Sequence, residues 1–285
     1  MPSEAEKTSQ KNTKTDKRGW IFDKANNSLI QKGTARRVEG KTCFHFDQIF
    51  DEAAQTPLVY QHIARPMVQL ILEGKHATIF AYGQTGSGKT YTMQGDGKSG
   101  SGQPGIIHMV ASDMFALMQM GTMSNRDYVV KVSYVEIYNE RIRDLLADDV
   151  CSTGSFGTIE TNKTSISSIS RQPEVFIRTT GAGDMILDCS RYEAKNVDEV
   201  LDLLMTGNAK RVVAKTNMNN YSSRSHAIFR ITVESRAKAD PDSLDANEVL
   251  RVSDFNLVDL AGSESVKMAN TSGLRQREAA KINRR

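Results

Sequence analysis

The stretch GQTGSGKT, Gly83 to Thr90, constrains this chain more than any other, because it satisfies G-x-x-x-x-G-K-[ST] in full. Gly83, Gly86 and Gly88 let the backbone N–H groups of the loop, with those of Gln84, Thr85 and Ser87, turn inward around an anion. Lys89 is then placed to reach the outer phosphate oxygens, and Thr90 to offer a hydroxyl to a magnesium ion. The flanks agree. HATIFAYG, 76–83, is short, apolar and closed by glycine, as a buried strand running into a loop should be, and the YTM that follows is compatible with a helix. A phosphate cradle between strand and helix implies an α/β fold and a nucleotide ligand. It does not say what the nucleotide is for, since kinases, switches, helicases and motors share the loop.

The remaining elements extend that sheet. Leu58, Val59, Ile63, Met67, Leu70 and Ile71 recur at helical spacing between Thr56 and Gly74, with Gly74 as C-cap and a kink expected at Pro66. YVVKVSYVEI, 128–137, reads as a strand. Asn196 caps a helix bearing Val197, Val200, Leu201 and Leu204 on one face, with Glu199 three residues after the cap. Ala227, Phe229, Ile231 and Val233 then alternate with Arg230, Thr232 and Glu234, the period of a half-exposed strand, and RVSDFNLVDL supplies another. GDGKSGSGQPG, 95–105, and the polar run 151–170 read as surface insertions. The methionines between 109 and 123 read as helix or core packing.

Composition excludes more than it selects. With 37 basic against 34 acidic residues, the net charge of +3 gives no strong pull toward polyanions. Neither a nucleic-acid nor a membrane partner is expected, and no apolar run approaches the ~20 residues that span a bilayer. Three scattered cysteines fit neither a disulfide framework nor a zinc site, which suggests a reducing compartment. Residues 1–18 are polar throughout and read as a disordered tail.

Two later segments are candidates for sensing the γ-phosphate. FNLVDLAGSE ends an apolar strand in Asp259, where a carboxylate would hold the metal or its water, and Gly262 could bring a backbone N–H to the phosphate. YSSRSH, 221–226, sets serines beside a histidine and invites a hydrolase reading. It lacks the tight nucleophile turn that chemistry needs, so His226 is read as a structural residue at the start of the next strand. A guanine-reading N-K-x-D is also missing, which disfavours a GTPase.

NMNNYSSRSHAIF, AYGQTGSGKTYTM, VSYVEIYNERIRDLL and NLVDLAGSE, in their order along residues 20–285, resemble the kinesin motor domain. WIFDKANNSLIQ, FHFDQIFD and ITVESR look most like the centromere-associated subfamily. The resemblance implies a P-loop NTPase with a central mixed, mostly parallel β-sheet flanked by helices on both faces. It implies ATP and Mg²⁺ as ligands, hydrolysis of ATP to ADP and phosphate, and microtubules as partner. It also implies a location in the cytoplasm on the microtubule cytoskeleton, at the spindle or kinetochore, and dimerisation through a stalk.

Residue by residue, 219–226 would be switch I and 259–264 switch II. Ser223 would join the magnesium with Thr90 and, through water, Asp259. Ser222 would position the attacking water, and Asn219 would touch the phosphates. Gly262 would sense the γ-phosphate, Arg224 and Glu264 would pair when the switches close, and Tyr91 would lie near the adenine. The family's R-x-R-P strand is not found, and REAAKINRR resembles only the start of the switch II helix. On that reading 19–285 is a partial motor domain, an incomplete fold that is marginal as a motor. The alternative function is a nucleotide-binding regulatory or degenerate module without motor output.

Overall fold

The computed structural model describes residues 19–31, 43–96, 102–120, 125–147, 175–179, 181, 185–216, 224–238 and 250–264. The tail expected over 1–18 and the insertion expected over 151–170 lie outside the described residues. Contacts divide the chain into two compact units, Met1–Val59 and Tyr60–Arg285.

In the first unit, β1 (Trp20–Asp23), β2 (Ser28–Gln31) and β3 (Cys43–His45) form an antiparallel sheet in that order. The β1–β2 turn is set locally. Asp23 Oδ1 accepts the N–H groups of Ala25 and Asn26, as a short acidic side chain at a turn commonly does. Trp20 and Phe44 bring their ring centroids to 6.2 Å.

The sequence predicts one kinked helix over 56–74, and the chain forms α1 (Thr56–Ile63) and α2 (Arg65–Leu72) with Ala64 between them. Pro66 sits in the first turn of α2, where its missing N–H is least costly. Gly74 ends α2 at φ +94°, a conformation open to glycine. The other helices among the described residues are α3 (Lys89–Gln94), α4 (Ile106–Met118) and α5 (Val197–Thr216). α5 begins with the predicted capping box: Asn196 Oδ1 accepts the Glu199 N–H at 2.9 Å, and Glu199 Oε2 accepts the Lys195 N–H at 2.8 Å.

The main sheet of the second unit runs β4 (Ala77–Ala81), β11 (Arg251–Asp259), β10 (His226–Ala237), β5 (Arg126–Tyr138), β6 (Arg141–Asp144), with β9 (Tyr192–Glu193) also on β5. β7 (Ile177–Thr179) and β8 (Met185–Leu187) form a separate hairpin. The sheet is mixed, as expected, but the expectation of mostly parallel pairing is corrected. Among the described residues only β4 and β11 pair in parallel, and the other pairings of this sheet are antiparallel. For β5 and β6 the reason is local: β5 folds back into β6 through a two-residue turn, with Asn139 and Glu140 both at positive φ.

The alternation read in β10 holds. Phe229 faces Leu257 and Tyr134, and Ile231 faces Phe255 and Val132. Phe229 meets Tyr134 edge to face at 5.3 Å between centroids. This side of the sheet carries α2 and α3 and meets α5 through Tyr134 and Glu136, with α4 packed against all three helices. Phe229, Phe255, Ile71, Met93 and Met114 are all under 2% exposed, each contributing about 1.5–3 kcal/mol by leaving water. The second layer of helices expected on the opposite face is not found among the described residues, where Phe80 and Val252 stand exposed. α4 also absorbs Met109, Met114 and Met118 into packing, as read from the sequence, while Met120, past its end, stands exposed.

Candidate nucleotide site

The parallel pair β4–β11 builds the site. Ala81 at the end of β4 lies beside Asp259 at the end of β11, so the loops leaving both strands emerge together at their carboxyl ends. In an α/β sheet this is where ligands bind. The two loops are stitched by backbone: the Leu260 N–H donates to Ala81 O at 3.2 Å, and the Ser263 N–H to Gly83 O at 3.1 Å.

Within 83–90 the glycines do the expected work. A side chain on Gly83, at φ +155°, would strike the Ser87 hydroxyl at 2.6 Å, and Gly88 opens α3 at φ +95°. Lys89 folds its ammonium over the loop, donating to Gly83 O and Gln84 O, each at 3.0 Å. Its charge therefore sits in the mouth of the cradle. Tyr91, one turn into α3, is 45% exposed.

Thr90 and Asp259, separated by 169 residues in sequence, meet directly: the Thr90 hydroxyl donates to Asp259 Oδ2 at 2.6 Å. The other carboxylate oxygen, Oδ1, is buried without a hydrogen-bond partner. A buried anionic oxygen without a partner is costly, and a divalent cation or its water would satisfy it. The hard oxygen donors of a hydroxyl and a carboxylate suit magnesium. The residues present thus fit the implied metal.

The 259–264 segment is held at both ends. Glu264 Oε2 accepts the Thr85 N–H at 2.9 Å, and Oε1 accepts the Thr85 hydroxyl. Partial burial pushes the Glu264 carboxyl up, but these hydrogen bonds and the Lys89 charge outweigh it and hold it below the usual carboxylate range. Gly262 sits under this clasp. A methyl there would lie 2.5 Å from the Thr85 hydroxyl and closer still to the Glu264 carboxylate. At the other end the Ala261 N–H donates to His226 Nδ1 at 3.2 Å. Burial lowers the His226 imidazole below its ordinary value, and the charge of Asp259 opposes this only in part, so the ring is neutral and free to accept.

Of the candidates read from sequence, Gly83 to Thr90, Asp259, Gly262 and Glu264 come together here. Arg224 is described just before β10, followed by Ser225, whose hydroxyl is buried without a partner. Asn219, Ser222 and Ser223 lie outside the described residues. His226 is the first residue of β10, as expected of a structural residue, but its hold on Ala261 was not foreseen. The strand period offers the clue, since Ala227 stands opposite Asp259 and places His226 beside the following turn.

Comparison with known proteins adds the following. The family model described as the kinesin motor domain matches residues 1–285. Kinesin-like protein KIN-7I of Oryza sativa subsp. japonica is 39% identical over 242 residues, covering 85% of this chain and 18% of the relative. Centromere-associated protein E of Homo sapiens is 34% identical over 264 residues, covering 93% of this chain and 9% of the relative. The chain therefore spans less than a fifth of either. Among solved structures, that of a fast kinesin superposes with a TM-score of 0.73 at 30% identity, covering 99% of this chain and 68% of that one.

Proposed function

This chain belongs to the kinesin motor-domain family, and from that premise we propose that it binds ATP with magnesium and hydrolyses it to ADP and phosphate, coupled to movement along microtubules. The observation that carries the proposal is the Thr90–Asp259 hydrogen bond beside Lys89, with Asp259 Oδ1 left buried without a hydrogen-bond partner. The solved fast kinesin is described in terms of an ATPase mechanism and interactions with microtubules, which supports the same reading.

In phosphoryl transfer the protein has little covalent work to do, and positioning with charge stabilisation suffices. Bound magnesium would supply charge neutralisation at the phosphates, held by Thr90 and Ser223 and reached by Asp259 through water. The N–H groups of 83–90 and the Lys89 ammonium bind and orient the polyphosphate. Ser222 orients the attacking water, Asn219 touches the phosphates, and Tyr91, with its exposed ring, lies toward the adenine. Gly262 meets the γ-phosphate with its backbone N–H. Arg224 and Glu264 pair in the closed state, Glu264 leaving Thr85 to do so. The switches are a two-position element of the kind that nucleotide-driven proteins use.

The organisation proposed is a tail over 1–18 and a motor domain over 19–285. The partner is the microtubule, the location the cytoskeleton at spindle or kinetochore, and the whole protein dimerises through a stalk.

The test is phosphate release with and without microtubules, together with co-sedimentation in ADP and in a non-hydrolysable ATP analogue. Microtubule-stimulated release with nucleotide-dependent pelleting is expected. Slow, unstimulated turnover with no pelleting would leave a nucleotide-binding module without motor output and refute the coupling.

A further inference from the structure

Beneath the site lies a closed ring of polar side chains that the nucleotide chemistry does not use. Gln94 Nε2 donates to the Tyr134 hydroxyl at 3.1 Å, the Tyr134 hydroxyl donates to Asn208 Oδ1 at 2.9 Å, and Asn208 Nδ2 donates to Gln94 Oε1 at 3.0 Å. Each member gives one hydrogen bond and takes one, and the three come from three elements: the last residue of α3, the middle of β5, and the middle of α5. Arg211, one turn beyond Asn208, donates to the same hydroxyl at 3.4 Å and to Glu136 Oε1 at 3.2 Å. Tyr134 and Glu136 are each 1% exposed.

Two further facts distinguish this ring from ordinary core filling. The first is Gly207. A side chain there would collide with the Tyr134 ring, so α5 carries a poor helix residue where it passes the tyrosine. The second is electrostatic: the Asp259 carboxylate is among the charges that act on both Tyr134 and Arg211, so the network lies within electrostatic reach of the site. A buried polar network is costly unless every member is satisfied, and once satisfied it fixes one arrangement where an apolar contact would allow several.

We propose that the Gln94–Tyr134–Asn208 ring is a positioning device for the nucleotide site, tying the far end of α3 to α5 and so holding Lys89 and Thr90 in register with Asp259. This rests on the nucleotide reading above. α3 has only six residues, with Lys89 and Gln94 at its two ends, so its length is about 9 Å. A helix so short moves as a rigid piece, and freeing Gln94 shifts Lys89 and Thr90 with it. None of the three ring residues touches nucleotide; they act through α3.

The test follows release of a fluorescent ADP analogue from the full chain in magnesium, with thermal melting in parallel. Tyr134→Phe removes only the hydroxyl. Tyr60→Phe serves as the matched control, since Tyr60 is also buried and donates to Asp113 at 2.7 Å without touching the ring. The expected result is an increase in ADP release of at least fivefold for Tyr134→Phe and less than twofold for Tyr60→Phe, at comparable losses of melting temperature. Gln94→Leu and Asn208→Leu are each expected to match Tyr134→Phe, with their double variant no worse than either. The exchange Gln94→Asn with Asn208→Gln, which keeps both amides and their summed length, is expected to recover most of the loss. Should Tyr134→Phe not accumulate in folded form, Gln94→Leu carries the comparison with Tyr60→Phe. Equal release rates in the ring and control variants overturn the inference while leaving nucleotide binding intact. A wild-type chain that retains no fluorescent ADP overturns the nucleotide reading itself, and the inference with it.

Discussion

Replacing Arg211 by methionine should be among the most damaging single changes available in the second unit. The Arg211 and Glu136 side chains are 7% and 1% exposed, and they meet at 3.2 Å on the helix-bearing side of the sheet. Burial disfavours the guanidinium, yet the neighbouring Tyr134 and Glu136 more than compensate and raise its pKa further. Removing the arginine leaves the Glu136 carboxylate nearly buried with no cation, a situation that costs about 3–5 kcal/mol. Set against a total stability of about 5–15 kcal/mol, that is a large fraction, equivalent to a melting shift of about 6–20 °C for a unit of this size. The companion change Glu136→Leu, made together with Arg211→Met, should recover most of it, because an apolar pair of similar volume avoids the desolvation of both charges. The measurement is a double-mutant cycle by urea unfolding. A loss below about 1 kcal/mol in Arg211→Met, or a coupling energy indistinguishable from zero, would show that Glu136 is better solvated than its burial implies.

Three other outcomes are expected. The folded His226 pKa lies below its ordinary value of 6.5. The stability it contributes is therefore present in full above that value and is lost as pH falls through it toward the folded pKa. The protection factor of the Ala261 amide against hydrogen exchange should accordingly drop several-fold between pH 7.5 and 5.5, and equal protection at both would show that the His226 contact does not hold it. Gly262→Ala should force Thr85 and Glu264 apart, cutting phosphate release at least tenfold while ADP affinity changes less than threefold; unchanged turnover would contradict the role given to Gly262. Asp259→Asn should raise the magnesium concentration needed for half-maximal nucleotide retention by more than about tenfold, consistent with loss of one charge-assisted contact of about 1.5–3 kcal/mol, and an unaltered requirement would remove Asp259 from the cation site.

What the sequence disclosed, and what it hid, follows the range of the interactions. The P-loop was legible because phosphate chemistry dictates its residue types one by one, and β10 because its alternation is a local pattern. The Asn196 capping box was legible for the same reason, being complete within five residues. Sheet direction was not. Whether β5 returns as β6 depends on Asn139 and Glu140 both adopting positive φ, and a glutamate there gives no warning. The hold of Glu264 on Thr85 and the ring through Gln94, Tyr134 and Asn208 were equally hidden. Glutamine and asparagine in helices read as solvent-facing residues until the fold shows what stands opposite. Register supplies that information, and register is set by partners far away in the chain.

That distance bears on how the chain comes to be. The two contacts that assemble the candidate site join residues 169 and 179 positions apart. Contacts across such spans close late, since the entropy of a long loop must be overcome before any of them is rewarded. During synthesis the P-loop therefore emerges long before the strand that gives it an Asp259, and it waits, with α2, α3 and α4 already able to pack, for β11 to insert beside β4. A nucleotide cannot be gripped by the early intermediates. It can act only on chains in which β11 has joined β4, and there it favours that arrangement in proportion to how tightly it binds.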